Sequence, residues 1–290
     1  MARIVLMASQ KTIIIEKIFS ARYSDETGVS NPVVTLAEVQ SAIEEHNRAA
    51  IEKPLSTKNP ANFFKDFVRK RESANKNWPL SILELGYTAR QVTENNACFE
   101  FVRLKPGQLV PFPALAEFGP SPETVTYGIE SVSLPLASRR LGRKDEPWLI
   151  QVVARLRIVE THFSLASGRS IRQLDLLQLN VKLKGTEIDA LYLAQEDTDA
   201  GLREVIVTCE AKQEKEDFIP DQIIRQSKAP FRMAEVEQDL VIPIAIKALG
   251  DSRLYVIEFQ PIHRSEQDEV FSLVKASDSI FEIRPHVPGI

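Results

Sequence analysis

The 290-residue chain contains few cysteines and few histidines, and both shortages limit its possible chemistry. Two cysteines, Cys98 and Cys209, cannot build a disulfide framework or a four-cysteine zinc site. The four histidines are dispersed and form no His-x-x-x-His pair, which argues against a zinc site. Such low cysteine usage is typical of the reducing cytoplasm, and we expect the protein to be cytoplasmic.

Long hydrophobic runs and glycine-rich loops are also absent. The longest apolar stretches, such as residues 13–15 and 240–246, are far shorter than the ~18–20 residues that a bilayer span requires. The N-terminal segment lacks the apolar core and cleavage site of a signal peptide, so we expect no membrane association. The sequence contains no G-x-x-x-x-G-K loop, so it does not encode an ATPase motor. It also contains no nucleophile elbow, so Ser/His/Asp catalysis has no support.

Neither sign of charge is in large excess, because 36 Lys and Arg residues face 40 Asp and Glu residues, a formal net charge of −4. With 43% hydrophobic and 26% charged residues, the composition indicates a globular protein of one or two domains. The charge is uneven, since residues 1–110 carry +3 and residues 111–290 carry −7. A further basic group lies between the two candidate domains and consists of Arg139, Arg140, Arg143 and Lys144. The acidic average therefore does not exclude nucleic acid.

Residues 1–110 are predicted to form a mainly helical N-terminal domain. Apolar stripes predict helices over residues 35–50, from Pro60 onward and over residues 80–85, and alternation predicts a strand over residues 98–102. Helices followed by a β-hairpin are expected of a winged helix-turn-helix, which binds DNA. Its predicted phosphate contacts are Lys65, Arg69, Lys70 and Arg90. The alternative is a charged face on a protein-interaction domain.

Residues 111–145 are predicted to be a linker and connecting segment, and residues 146–290 a second domain with a mixed α/β core. The apolar pattern predicts, in order, a helix over 148–165, strands over 174–183, 186–194 and 204–212, a helix over 220–234, and strands over 240–248 and 254–260. Because the middle strands are consecutive, this order does not describe a βαβ array.

Charged residues interrupt the apolar pattern of two of these strands. Glu210 and Lys212 are two residues apart, so they project from the same face of a strand. An adjacent antiparallel strand would bring Asp189 opposite them, with Glu187 as the alternative acid if the register differs. Two carboxylates and one ammonium group suit a site for Mg²⁺, which can polarise a phosphate and activate its bound water.

Asp189 and the run Glu210-Ala211-Lys212 resemble the signature of the PD-(D/E)xK nuclease superfamily. That family has the restriction-endonuclease-like fold, an α/β (α+β) core whose mixed sheet is flanked by helices in αβββαβ order. Ile188 replaces the proline of the family pattern. The resemblance implies a Mg²⁺-dependent DNA endonuclease in which Asp189, Glu210 and the Ala211 carbonyl hold the metal. Mn²⁺ is expected to substitute for Mg²⁺, and Lys212 to assist the attacking water.

The resemblance also implies accessory residues. Family members often place another metal-site acid on the first core helix, here Glu160, and a glutamine on the helix after the third strand. Gln222 and Gln226 are four residues apart on that helix. We assign Glu160 and Gln222 to the catalytic group, and Arg225 and Gln226 to DNA binding. The alternatives are a surface carboxylate for Glu160, a polar outer face for the glutamines, and a surface charge for Arg225.

The resemblance leaves the type of nuclease open. A restriction-like enzyme that cuts both strands of duplex DNA needs two sites, so we expect a homodimer and a companion DNA methyltransferase. The alternatives are a structure-selective repair or recombination nuclease of the same superfamily, and a winged-helix DNA-binding regulator whose nuclease-like domain is inactive.

Overall fold

A computed structural model describes residues 9–49, 53–92, 96–113, 118–140, 142–183, 186–270 and 272–290. The chain divides into two compact units, Met1–Ala114 and Leu115–Ile290. The sequence placed the first boundary at residue 110 and assigned residues 111–145 to a connecting segment. Most of that segment belongs to the second unit and supplies a strand and a helix to it. Among the helices of the described ranges, none combines the length and the apolar content that a bilayer crossing needs.

The first unit combines helices with a three-stranded antiparallel sheet in the order β3-β5-β4. Its elements are α1 (Gln10–Ser20), β1 (Tyr23–Ser24), β2 (Gly28–Val29), β3 (Val33–Thr35), α2 (Leu36–Ala49), α3 (Asn62–Val68), α4 (Arg71–Asn77), α5 (Leu80–Glu84), β4 (Tyr87–Gln91) and β5 (Ala97–Arg103). Helices α2, α3 and α5 and strand β5 lie where the sequence predicted them. The unit has more β-structure than predicted. Strand β3 was not predicted, because its three residues are too few to give a period-two signal.

Aromatic side chains build the core of the first unit. Phe63, Phe64 and Phe67, which the sequence placed on one helix face, are all buried. The ring of Phe64 stacks on that of Phe99, with the ring centroids 4.7 Å apart, and this contact joins α3 to β5. The apolar face of α3 is thus turned inward, which leaves its other side to Lys65 and neighbouring charged residues.

The second unit is a large mixed sheet with helices packed against it. Its elements are β6 (Val125–Glu130), α6 (Leu136–Arg140), α7 (Glu146–Arg155), α8 (Ile158–Leu165), β7 (Ile171–Leu183), β8 (Thr186–Thr198), β9 (Gly201–Lys212), α9 (Pro220–Lys228), β10 (Leu240–Gly250), β11 (Arg253–Phe259), β12 (Ile262–His263) and β13 (Lys275–Arg284). The strand order is β6-β13-β11-β10-β9-β8-β7, and β12 pairs with β10. Strands β7, β8 and β9 form an antiparallel meander, and β10 lies parallel to β9 after the α9 crossover.

Two helices differ from their predicted extents. The helix predicted over residues 148–165 is interrupted at Arg157, whose φ of 53° is left-handed and cannot continue an α-helix. Helices α7 and α8 therefore replace it. The helix predicted over residues 220–234 ends at Lys228, because Pro230 has no N–H to donate to the carbonyl four residues earlier and its ring clashes with that carbonyl. A short 3₁₀ turn, Pro230–Arg232, follows.

The side chains of strand β9 alternate between the two faces of the sheet. Val205, Val207, Cys209 and Ala211 point into the core that α7 and α8 cover. Alternate residues point to the other face, where the hydroxyl groups of Thr208 and Ser227 of α9 are 3.1 Å apart. Glu210 and Lys212 belong to this second set, so α9 covers the face on which the two charged residues lie.

Candidate active site

The predicted site residues of β8 and β9 come together at the carboxyl end of β9. The strand register pairs Ala190 with Cys209, and one step further along this antiparallel ladder Asp189 stands opposite Glu210. An Asp189 carboxylate oxygen, Oδ2, accepts a hydrogen bond from the Ala211 main-chain N–H at 2.7 Å. Lys212 Nζ lies 2.5 Å from Glu210 Oε1. The arrangement that strand alternation predicted is therefore present.

Lys212 is the centre of this cluster. Its side chain is only 7% exposed, and its ammonium group contacts Glu210 Oε1, Glu146 Oε1 at 2.7 Å and the Ala211 carbonyl oxygen at 3.1 Å. Burial alone lowers the pKa of Lys212, but the charges of Glu210 and Glu146 outweigh it and raise that pKa above its ordinary value. Lys212 is therefore a fixed positive charge.

Glu146 is a site residue that the sequence did not predict. It is the first residue of α7, after Asp145, whose side chain caps the helix by accepting from the Trp148 N–H at 3.0 Å. Gln213 fixes this helix end by donating to the Asp145 carbonyl at 2.8 Å. The cap and Pro147 signal a helix start in the sequence, but they do not indicate what lies opposite it.

Two glutamines of α9 hold Glu210, whose side chain is 2% exposed. Gln222 donates to Oε1 at 2.6 Å, and Gln226 donates to Oε2 and, at 2.7 Å, to the main-chain carbonyl of Glu187. Gln226 was assigned to DNA binding, but it is 1% exposed and its amide nitrogen donates to protein oxygens. Gln226 therefore orients Glu210 and ties α9 to β8.

Asp189 is a weaker acid than an ordinary aspartate. Burial, followed by the charge of Glu210, raises the pKa of Asp189 to about 8, although the Ala211 N–H and the charge of Lys212 act in the opposite direction. Two carboxylates in one buried place favour a shared proton or a cation between them. This electrostatic pattern is common at functional sites.

Two predicted or alternative acids lie outside the cluster. Glu160, on α8, has no hydrogen bond to Asp189, Glu210 or Lys212 among the described residues, and burial raises its pKa. Glu160 lies on α8, whereas Glu146, at the start of α7, is the further carboxylate that contacts Lys212. The side chain of Glu187, the alternative to Asp189, is exposed.

The remaining predicted DNA contacts are distributed over both units. Lys65 is half-buried on α3, and Arg69 and Lys70 are exposed just after it. Arg90 of β4 is an exposed residue that pairs with Glu100 of β5 at 2.8 Å, as expected for a cross-strand ion pair. In the second unit, Arg225 lies half-buried on α9.

The oxygen atoms around Lys212 are of the kind that hard divalent cations prefer as ligands. Carboxylate oxygens come from Asp189, Glu210 and Glu146, a carbonyl oxygen comes from Ala211, and the buried Oε1 of Gln222 has no hydrogen-bond donor among the described residues. Their present arrangement surrounds an ammonium group, and within the described ranges no three His, Cys, Asp or Glu side chains converge as a metal-binding group. A cation would therefore have to displace Lys212 from Glu210.

The chain has no match among protein-family models, among curated proteins or among solved structures.

Proposed function

We propose that the protein is a Mg²⁺-dependent DNA endonuclease of the PD-(D/E)xK type. One observation carries this proposal: Asp189, Glu210 and Lys212, from two antiparallel strands, meet at the end of β9 with the Ala211 carbonyl beside them. A surface E-x-K sequence would not be buried, nor would its glutamate be held by two further side chains.

The topology around the site supports the same proposal. Helix α8, the meander β7-β8-β9, helix α9 and the parallel strand β10 follow one another in the αβββαβ order expected of a restriction-endonuclease-like core. In the first unit, a strand before helix α2 pairs with the second strand of a C-terminal hairpin, in the order β3-β5-β4. This pairing suits a winged-helix module, in which Lys65, Arg69, Lys70 and Arg90 would contact phosphates.

The residues that would hold the cation are Asp189, Glu210 and the Ala211 carbonyl, with Glu146 as an additional carboxylate. When bound, a divalent cation supplies charge stabilisation at the scissile phosphate and a coordinated water of lowered pKa. The hydrolysis joins the water oxygen to phosphorus and breaks the P–O3′ bond, which leaves a 5′-phosphate and a 3′-hydroxyl group. Mn²⁺ should support the same reaction.

The protein's own groups position the reactants. Gln222 and Gln226 fix both oxygens of Glu210, and the Ala211 N–H fixes Asp189, so the two carboxylates do not need to reorganise. Lys212 stays protonated because its pKa is raised, so it orients the attacking water and stabilises negative charge on the phosphate; it does not act as the base. Cutting both strands of a duplex requires two such sites, and we therefore propose a cytoplasmic homodimer that works beside a DNA methyltransferase.

The test is cleavage of supercoiled plasmid and unmethylated phage DNA in Mg²⁺, with Lys212→Ala compared against Lys247→Ala. Lys247 is the matched control, because it lies in register with Lys212 on β10 and pairs with Asp217 at 3.2 Å, outside the carboxylate cluster. We expect wild type and Lys247→Ala to cut and Lys212→Ala to lose at least about 100-fold, as when a positioned charge is removed from a transition state.

The pattern of the products identifies the kind of nuclease. Cuts at one palindromic sequence support a restriction enzyme, and preference for branched or flapped DNA supports a structure-selective nuclease. If wild type cuts none of these substrates, or if Lys212→Ala cuts as well as wild type, the catalytic assignment is wrong. DNA binding without cleavage would then favour a regulator with an inactive nuclease-like domain.

A further inference from the structure

Three exposed cations precede α7 and are not used by the site described above. Arg140 and Lys144 are exposed, and neither pairs with a carboxylate in the described part of the chain. The Arg143 side chain is 77% exposed, and within the described residues its contact is from Nε to Asp145 Oδ2 at 2.7 Å. Among the described residues, neither of its NH₂ groups has a protein partner, so both can donate to a ligand. We call Arg140, Arg143 and Lys144 the basic cluster.

Hydrogen bonds attach the basic cluster to the candidate site. Lys144 is followed directly by Asp145, whose carbonyl accepts from Gln213, and then by Glu146, which binds the ammonium group of Lys212. Two residues of chain span at most about 7 Å, so the main chain of Lys144 lies within that distance of the main chain of Glu146. Lys144, and Arg143 directly before it, therefore lie close to Glu146 along the chain within the second unit.

The backbone that carries the cluster is fixed by the C-terminal residues of the chain. A Cβ atom added to Gly142 would lie 2.5 Å from the Pro288 carbonyl oxygen, and one added to Gly289 would collide with the Arg143 carbonyl. The indole N–H of Trp148 donates to the Pro288 carbonyl at 2.9 Å. Only glycines allow this close packing, which holds residues 142–148 in place before any ligand arrives and so reduces the ordering cost of binding.

Because the second unit is acidic, an anionic ligand can approach the site only if cations lie beside it. Residues 111–290 carry −7, and the site itself gathers carboxylates from Glu146, Asp189 and Glu210. A polyanion would be repelled from this surface unless cations lie along its path. The basic cluster provides them directly beside the site, whereas the ion pairs at the far end of β8 do not.

We propose that Arg140, Arg143 and Lys144 bind backbone phosphates of duplex DNA next to the scissile phosphate. This inference rests on the proposed nuclease function, and it names a second contact surface, separate from the cations of the first unit. The planar guanidinium groups suit the bidentate recognition of phosphate oxygens, and the lysine adds a mobile point charge. Contacts of this kind set the position of the duplex without reading its sequence.

The test uses the full-length protein and the double variant Arg143→Gln/Lys144→Gln, which removes two charges and keeps similar side-chain lengths. The matched control is Arg172→Gln/Arg203→Gln. These arginines are also exposed, at 66% and 46%, and, like Arg143, they pair with carboxylates, at 2.6 and 2.8 Å. Their partners Asp197 and Glu196 are seven or eight residues along β8 from Asp189, roughly 25 Å away. Thermal unfolding checks that both variants fold.

Binding of a labelled duplex is measured by fluorescence anisotropy in Ca²⁺ at a series of salt concentrations. Loss of two phosphate contacts should reduce the slope of log K against log salt by about 1.8 in the test variant only. At saturating DNA, the test variant should keep the single-turnover cleavage rate of wild type while its KM rises.

Several results would overturn the inference. It is wrong if the test variant and the control have the same slope as wild type, or if wild type binds no duplex at all. Equal losses in both variants would show that only net charge matters, which also contradicts it. If wild type cleaves DNA and the test variant has the same KM and the same salt slope as wild type, the cluster is refuted and the nuclease proposal stays intact. Salt-dependent binding by the cluster without any cleavage refutes the nuclease proposal alone.

Discussion

Replacement of Lys212 by methionine should strengthen the binding of a divalent cation. The ammonium group lies 2.5 Å from Glu210 Oε1. A cation bound to the same oxygen at about 2.0–2.1 Å would lie no more than about 4.6 Å from the ammonium nitrogen. The two positive groups therefore compete for one carboxylate, and the methionine variant removes one competitor while preserving much of the side-chain volume.

The size of the effect follows from that distance. Charges of +2 and +1 at about 4.6 Å repel by about 2 kcal/mol in a water-like dielectric, and by several times more at the effective dielectric of a protein surface. The lower figure applies, because the ammonium group can keep its contact with Glu146 as it leaves Glu210. About 2 kcal/mol corresponds to a 20- to 30-fold lower Kd.

Mn²⁺ binding measured by electron paramagnetic resonance in the absence of DNA reports this affinity without any need for cleavage. The titration is made above about pH 8, where Asp189 is ionised. Lys247→Met is the control, because that lysine pairs with Asp217 and should change the Kd by much less. If Lys212→Met binds Mn²⁺ no more tightly than wild type, the ammonium group does not compete with the cation and this reasoning is refuted.

Two further substitutions test the interior of the site. Because burial and Glu210 raise the pKa of Asp189 to about 8, the folded protein holds a proton that the unfolded chain releases near pH 4, and stability from this group falls as pH rises between those values. Asp189→Asn should therefore gain in Tm relative to wild type as pH rises from 5 to 8 in EDTA, whereas a pH-independent difference would contradict the shift. Gln226→Met leaves acceptors on Glu210 and Glu187 without their buried donor and should lower the free energy of unfolding by about 1–3 kcal/mol in urea titrations. Gln222→Met is the control and should lower the free energy of unfolding by less, because Glu210 Oε1 keeps its contact with the Lys212 ammonium group. An equal loss in the two variants would argue against the role of Gln226 as a buried donor.

The facing pair of carboxylates was predictable because it depends on local geometry. Alternation along β9 fixes Glu210 and Lys212 on one face. The β8–β9 connection has two residues, Asp199 and Ala200, and Thr198 pairs with Gly201. A hairpin with that centre places residue 189 opposite residue 210, so the turn sets the register. Short-range rules therefore placed Glu210 and Lys212 on one face, and the turn decides that Asp189, not Glu187, lies opposite Glu210.

Glu146 and the exclusion of Glu160 were not predictable in the same way. Glu146 reaches Lys212 across 66 residues of chain, and that contact exists because helix α7 packs against the sheet. The apolar spacing across residues 148–165 is continuous, so nothing in the pattern signals a left-handed residue at Arg157. Tertiary packing decides these positions, and periodicity alone does not encode it.

The glutamines show the same limit at finer scale. Gln222 and Gln226 share a helix face and a residue type, so spacing cannot rank them. The structure distinguishes them by depth, because Gln226 sits one turn further along α9, where it also meets the Glu187 carbonyl. In the first unit, the three residues of β3 are too few to show a period, and their strand conformation depends on pairing with β5.

The charge distribution separates two contributions to DNA binding. Above about pH 8, where Asp189 is ionised, the formal charges of Glu146, Asp189, Glu210 and Lys212 sum to about −2, which one divalent cation would neutralise. A phosphate at this site is therefore repelled until the cation binds. The basic cluster, in contrast, attracts neighbouring phosphates whether or not the cation is bound. The dependence of affinity on divalent cations should reflect the carboxylates, and the dependence on monovalent salt should reflect the cluster. A net charge of −4 for the whole chain averages these opposed regions, so the placement of charge, more than its sum, decides whether this surface accepts DNA.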